Sequence, residues 1–459
     1  MLLVPLPVGS ETTSVEITLT LNPSIHRQTI QGFGVNFNGT YFRREQEEAI
    51  RRLVHDLGAT IFRLDPYGLT NWEAVNDNDD SYNANWAYYN DRYSSPPFEA
   101  AWQAGRFLNS LGIRPYLTLS GTPPAWMLDD AAAPPHHKVC NPGSHGAHLA
   151  HRAYDEFAET VVTLAAYARD KAHISYENFG PINEPDCYPA EGPRVGPDEM
   201  PELLATIARH LDRAGLSDLK LIVPEQAALG NNYAEPILQN AEVMKKVAAF
   251  AVHTYGLDSV LPQLQRVVRS SFPDVPVWLT EYGDLNDLDG SAANEWKSYC
   301  MAASERVIRA LRDGVSAALF WDAFDNYHEH YPRFTFYGLL GNDNHVYTRK
   351  KRYYPARQLY RFVSPGSVRI DVESDSGGLV PVAFRTPQGA LVVVGLKHGP
   401  ANRLNLKVAG GKTPSSWALY QTTPRLDCAA SPILRTAGET VPVDLPDEAI
   451  FTLVQGEVQ

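Results

Sequence analysis

Hydrophobic positions fall into three regimes along the chain. Near the N-terminus Val15, Ile17, Leu19 and Leu21 alternate with Glu16, Thr18 and Thr20, which predicts a half-exposed strand. From there to residue 362, short unbroken apolar runs take turns with stretches of helical spacing. The runs cover 30–38, 60–65, 113–119, 174–183, 220–224, 249–255, 277–281 and 317–321. The helical stretches cover 43–57, 98–111, 150–171, 197–214, 234–246, 261–271, 292–313 and 353–362. In the first of these, Ile50, Leu53, Val54 and Leu57 share one face. Apolar runs without polar alternation are expected of strands buried on both faces. Eight strand-plus-helix units predict a (β/α)8 TIM barrel. The competing doubly wound sheet would show a glycine-rich phosphate turn after its first strand. Gly32-Phe33-Gly34 instead lies within the strand and has no third glycine behind it.

After residue 362 the helical spacing stops. Short strands are predicted at 368–372, 379–384, 390–396, 403–408, 416–422 and 450–454, with Gly, Pro and Asn turns between them. This reads as a side β-sandwich, with the N-terminal strand pairing into it. The expected architecture is α/β: a barrel of residues 23–362, and a side domain of residues 14–22 plus 363–459.

The ends of the predicted barrel strands carry the candidate chemistry, because the loops at that face build the site in such barrels. These ends supply Asn36 and Asn38, Arg63 and Asp65, Trp126 just past the third strand, Asn183 and Glu184, Glu225, His253 and Tyr255, Glu281, and Trp321 with Asp322. Two glutamates end similar apolar runs: Phe179-Gly180-Pro181-Ile182-Asn183-Glu184 and Val277-Trp278-Leu279-Thr280-Glu281. Paired carboxylates across a pocket suit acetal cleavage, with one protonated to assist the leaving oxygen and one ionised to attack the anomeric carbon. Close carboxylates repel, so one of them holds its proton towards neutrality. Arg63 is expected to keep Glu281 ionised, Tyr255 to orient it, and Asn183 and Asp65 to bind sugar hydroxyls. Trp126 and Trp321 offer flat faces to a sugar ring. Glu225 is read as a loop or rim residue.

With these residues in view, the chain resembles the retaining glycoside hydrolases of clan A, and most closely glycoside hydrolase family 30. The resemblance rests on Gln28-Thr29-Ile30-Gln31-Gly32-Phe33-Gly34, on residues 120–127, and on the run from Lys351-Arg352-Tyr353-Tyr354 to residue 370. It implies Glu184 as acid/base and Glu281 as nucleophile. Arg63, Trp126, Asn183, Tyr255 and Trp321 would be the other carried positions.

Composition narrows the alternatives. A formal net charge of -13 argues against a nucleic-acid or anionic-membrane partner, and the expected partner, from the paired carboxylates and the resemblance, is a carbohydrate substrate. The first eight residues are proline-broken and lack a basic start, so the chain is expected to be cytoplasmic, or secreted with its signal segment missing. Cys140, Cys187, Cys300 and Cys428 fit no knuckle spacing. They read either as free buried thiols or as including one Cys140–Cys187 disulfide. His136, His137, Cys140, His145 and His148 are dense in metal-ligand types but match no ligand spacing, and Asn76 to Asp80 lack the glycine and closing glutamate of an EF-hand. No metal and no organic cofactor is assigned, since two carboxylates and water suffice. The segment 86–93 is either a subsite wall or packing. The expected function is retaining hydrolysis of a β-linked O-glycoside, with exo action favoured by the long inserts after the second and third strands. The alternatives are an endo-acting glycanase of the same clan, a catalytically silent sugar-binding barrel, and a metal-dependent hydrolase using the His-Cys loop.

Overall fold

The computed structural model describes residues 16–456, except 67–72, 122, 130–138, 141–147, 189–191, 257, 288–289, 292–293, 329–332 and 401. Eight parallel strands close into a barrel in sequence order: β1 Gly32–Asn38, β2 Ile61–Asp65, β3 Tyr116–Thr118, β4 Asn178–Gly180, β5 Lys220–Gln226, β6 Val247–Thr254, β7 Val277–Tyr282 and β8 Ala317–Phe320. Every residue of β1, β7 and β8 is buried, as the unbroken apolar runs require. Gly34 is needed for closure. A Cβ there would lie 1.8 Å from the Ile61 carbonyl oxygen, so only glycine lets β1 approach β2 this closely.

The local departures from expectation have local causes. β3 starts late because Pro115 lacks the N–H that a ladder position needs. β4 is short because Ile174 N–H instead donates to Ala168 O and closes the preceding helix. The expected helix at 234–246 breaks into Ala234–Leu238 and Ala241–Met244, where Asn240 caps the second piece by accepting from Val243 N–H. An additional helix, Trp86–Tyr93, is capped by Asn85. Its Tyr89 and Tyr93 are fully buried and bond Glu159 and Thr163, so this segment serves packing rather than lining a subsite.

The remaining large sheet has ten strands. The N-terminal strand Glu16–Thr29 runs antiparallel to Val368–Ser374 and parallel to Asn402–Val408, and its pairing continues as far as Thr29. The sheet folds over on itself. Leu19, Leu21, Leu404 and Leu406 from one half share a buried cluster with Val393, Trp417, Phe451 and Leu453 from the other, which makes a sandwich. A strand at Val441–Leu445 went unread because of Pro442. It is an edge strand, where a missing N–H is tolerated. The side sheet is fastened to the barrel by Gln358, which bonds Thr422 and accepts from Thr452. Among the described residues no helix is long and apolar enough to cross a membrane.

Candidate active site

The site grows from one buried cation. Arg63 on β2 is 1% exposed, and its guanidinium is shared among groups from β1, β5, β7 and the loop after β4. Nη1 donates to Glu281 Oε1 at 2.7 Å and to Asn36 Oδ1 at 3.0 Å. Nη2 donates to Asn183 Oδ1 at 2.6 Å, and Nε sits 3.5 Å from Glu225 Oε1. Asn36 is aimed in turn by its own amide, which donates to Thr280 O and Phe320 O. The sequence placed these groups at strand ends, and the fork geometry of arginine joins them.

Glu281 has a donor on each carboxylate oxygen. Arg63 holds Oε1, and the Tyr255 hydroxyl donates to Oε2 at 2.5 Å. Glu184 lies across from it. Its Oε1 is 3.0 Å from His253 Nδ1, and the same nitrogen is 3.5 Å from Glu281 Oε2. Glu184, His253 and Glu281 each place one ligand-type atom within 4.8 Å of the other two. The two carboxylates are therefore near neighbours across one imidazole. Both ring nitrogens of His253 are taken up by carboxylates.

Glu225 corrects the rim reading. It is fully buried beneath the pair, with Oε2 2.9 Å from His253 Nε2 and accepting from the Thr280 hydroxyl. Its placement follows from two irregularities in the barrel ladder. The β5–β6 register skips between Pro224 and Gln226, and the β6–β7 register skips between Leu279 and Glu281. A bulge turns the extra residue out of the strand's alternation. Here the two skipped residues, Glu225 and Thr280, meet each other. Glu184 and Glu225 also hold left-handed backbones, at φ 42° and 63°. That conformation is uncommon away from glycine and gathers at functional sites.

Burial would lower the His253 imidazole, but Glu281, Glu184 and Glu225 outweigh it and hold the ring up at about 10. His253 is therefore a cation at neutral pH. Burial pushes the Glu225 carboxyl up, yet the Arg63 charge and the His253 and Thr280 hydrogen bonds bring it below its ordinary value. Burial raises the Glu281 carboxyl, opposed by the His253 and Arg63 charges and reinforced by Glu184. Burial also drives the Tyr255 hydroxyl well above its usual range, so it stays a donor.

The other expected residues are placed as follows. Asp65 accepts from the Ser120 hydroxyl at 2.6 Å. Trp126 sits half-buried on the turn Ala125–Met127, with its ring nitrogen donating to Glu73 O. Trp321 directly follows β8, is partly exposed, and donates its backbone N–H to Tyr282 O. Asp186 was missed. Fully buried two residues beyond Glu184, it accepts from Ala227 N–H, Ala228 N–H and Asn231, and clasps the loops after β4 and β5 together. Gly192 lets the returning loop pass Asn183, whose carbonyl oxygen lies 2.3 Å from where a Cβ would be. Cys187 is disulfide-bonded, and its strand pairing sets it opposite Cys140, while Cys300 and Cys428 are free and buried. Of the His-Cys loop, His136, His137 and His145 lie outside the described residues, and His148 bonds Glu199.

No family model matches the chain. Sequence and structure comparisons are nevertheless concordant. Glucuronoxylanase XynC of Bacillus subtilis is 22% identical over 316 residues, 68% of this chain and 69% of that protein. A family 30 endoxylanase from Clostridium papyrosolvens superimposes with a TM-score of 0.71 at 20% identity, covering 96% of this chain and all of that one. The chain is thus similar in sequence to a glucuronoxylanase and in fold to family 30 glycoside hydrolases. A monomeric β-xylosidase from Caulobacter crescentus shares the fold at a TM-score of 0.60 and 16% identity, covering 96% of this chain and all of that one. The fold of family 30, a barrel with a side β-sandwich, extends over the chain.

Proposed function

We propose that residues 23–362 form a catalytic barrel, flanked by a side domain of 14–22 plus 363–459, that hydrolyses a β-linked O-glycoside with retention. The observation that carries the roles is the asymmetry of the carboxylates. Both oxygens of Glu281 accept from Arg63 and Tyr255, which opposes the burial that raises its carboxyl and favours the ionised form. The proton that assists the leaving oxygen is assigned to Glu184. In the first step Glu281 attacks the anomeric carbon, the glycosidic C–O bond breaks, and Glu184 gives its proton to the leaving oxygen. In the second step Glu184 takes a proton from water, whose oxygen displaces Glu281. Conversion of Glu281 to an ester removes a neighbouring negative charge. That favours ionised Glu184 at the moment it must act as base, with His253 donating to it.

Asn183 and Asp65 are assigned to sugar hydroxyls, and Trp126 and Trp321 to ring faces. The names of the similar proteins point to a β-xylan chain as the substrate class. The long inserts after β2 and β3 favour a walled pocket and exo action. Product lengths from an oligosaccharide distinguish this from internal cleavage. The Cys187 disulfide favours an oxidising compartment, and so a secreted protein.

Azide rescue of two variants tests the roles after a panel of aryl β-glycosides has identified the sugar. With Glu281→Gly, azide attacks directly and gives a glycosyl azide of inverted configuration. With Glu184→Gly, azide intercepts the glycosyl-enzyme and gives the retained configuration. Swapped configurations would reverse the roles, and full hydrolytic activity in either variant would end the assignment.

A further inference from the structure

Four aromatic rings stand outside the chemistry described so far. Tyr41, just past β1, meets Tyr327 at 6.0 Å between centroids. Tyr327 meets Phe334 at 5.3 Å, and Phe334 meets Phe336 at 5.2 Å. Tyr327 and Phe334 lie directly opposite each other on the hairpin that follows β8, so they share a face, and Phe336 follows on that face two residues on. Thr335 between them is buried, whereas Phe334 and Phe336 are partly exposed and Tyr327 is 53% exposed. An exposed run of rings is expensive in water unless something covers it.

The run is braced from beneath. The Phe336 carbonyl oxygen accepts from Lys350 Nζ at 2.6 Å and from Arg352 Nη1 at 3.0 Å. Both cations are tied to Asp287, and Lys350 to Asp325 as well. On its far side Phe336 packs against Gly290 in the loop after β7. A Cβ at Gly290 would come within 3.3 Å of the ring. The rings are thus held by β1, β7 and β8, which are consecutive in the barrel. The same strands carry Asn36, Glu281 and the start of the Trp321 loop, so the run lies at the same end of the barrel as the site.

We propose that Tyr41, Tyr327 and Phe334 form an aromatic platform that binds sugar units of the chain adjoining the one being cleaved. A pyranose has a flat apolar face and a polar edge, which suits the exposed ring of Tyr327, braced edge-to-face by Phe334. The proposal rests on the glycosidase reading and makes the substrate a chain rather than a lone glycoside.

The test compares kcat/KM on oligosaccharides of two to six units with kcat/KM on the aryl glycoside of the same sugar, using the full chain. In the wild type this ratio rises with length. Tyr327→Ala lowers the ratio for the six-unit substrate by about tenfold or more, and Tyr327→Trp, which keeps a flat ring, preserves it. An unchanged ratio in Tyr327→Ala overturns the platform, as does a wild-type ratio that does not rise with length. Calorimetric binding of the six-unit oligosaccharide to Glu281→Gln, with and without Tyr327→Ala, separates the two readings. Binding that depends on Tyr327 in a chain whose wild type cleaves nothing would sink the glycosidase reading and leave the platform. Hydrolysis by a wild type whose binding ignores Tyr327 would do the opposite.

Discussion

Glu225→Gln removes one charge from the floor of the site and leaves the shape. The amide oxygen still accepts from His253 Nε2, but one of the three carboxylates that balance Arg63 and His253 is gone. At an effective dielectric of about 20, charges at the Arg63–Glu225 distance of 3.5 Å attract by about 5 kcal/mol, and breaking a buried pair costs roughly 3 to 5 kcal/mol in practice. His253, held at about 10, falls back towards its ordinary value of about 6.5. The sign follows from linkage. A histidine raised on folding contributes stability that is full below about pH 6.5 and lost as pH climbs through about 10. Denaturant unfolding is therefore expected to show the variant about 3 to 5 kcal/mol less stable at pH 6, with the gap narrowing towards pH 10. In kinetics, a His253 whose charge is less firmly held donates less strongly to Glu184 when that group must be a base. A loss of about 10- to 100-fold in kcat on aryl glycosides is expected at pH 7, corresponding to about 1.4 to 2.8 kcal/mol. A stability gap independent of pH would refute the argument that His253 is a cation. Wild-type stability together with a wild-type pH–rate profile would refute any role for Glu225 in the site.

Two further outcomes follow from the same physics. Tyr255→Phe removes one of the two donors on Glu281, a charge-assisted hydrogen bond of about 1.5 to 3 kcal/mol. Formation of the glycosyl-enzyme, read as burst rate with a good leaving group, should slow by about 10- to 100-fold, and an unaltered burst would mean that Tyr255 does not orient the nucleophile. Glu159, 2% exposed, is pushed up to about 8 by burial, opposed by the Tyr89 hydrogen bond and reinforced by the Glu73 and Glu156 charges. A carboxyl raised on folding loses stability as pH rises from about 4.5 through about 8, so Glu159→Gln should match the wild type near pH 4.5 and be more stable by a few kcal/mol at pH 8.5. Equal denaturation midpoints at both pH values would show that Glu159 is not held protonated.

What the sequence determined is the part that depends on periodicity and on which end of a strand a residue occupies. Eight apolar runs alternating with helical spacing define the barrel. The glutamates, Arg63, Asn183 and Tyr255 at the run ends mark one face of it. Such patterns are local, so they survive without coordinates. What only the tertiary structure decided is which of those residues point inward and what they touch. Glu225 reads as one more strand-end glutamate, yet a skipped register turns it beneath His253 and Arg63. A bulge depends on how two strands pair, and pairing is invisible in either strand alone. His253 illustrates the same limit. Its place between Glu184 and Glu225 sets its charge, and those residues lie 69 and 28 positions away. The aromatic platform likewise unites Tyr41 with Tyr327 across nearly the whole barrel sequence, because β1 and β8 become neighbours only when the barrel closes.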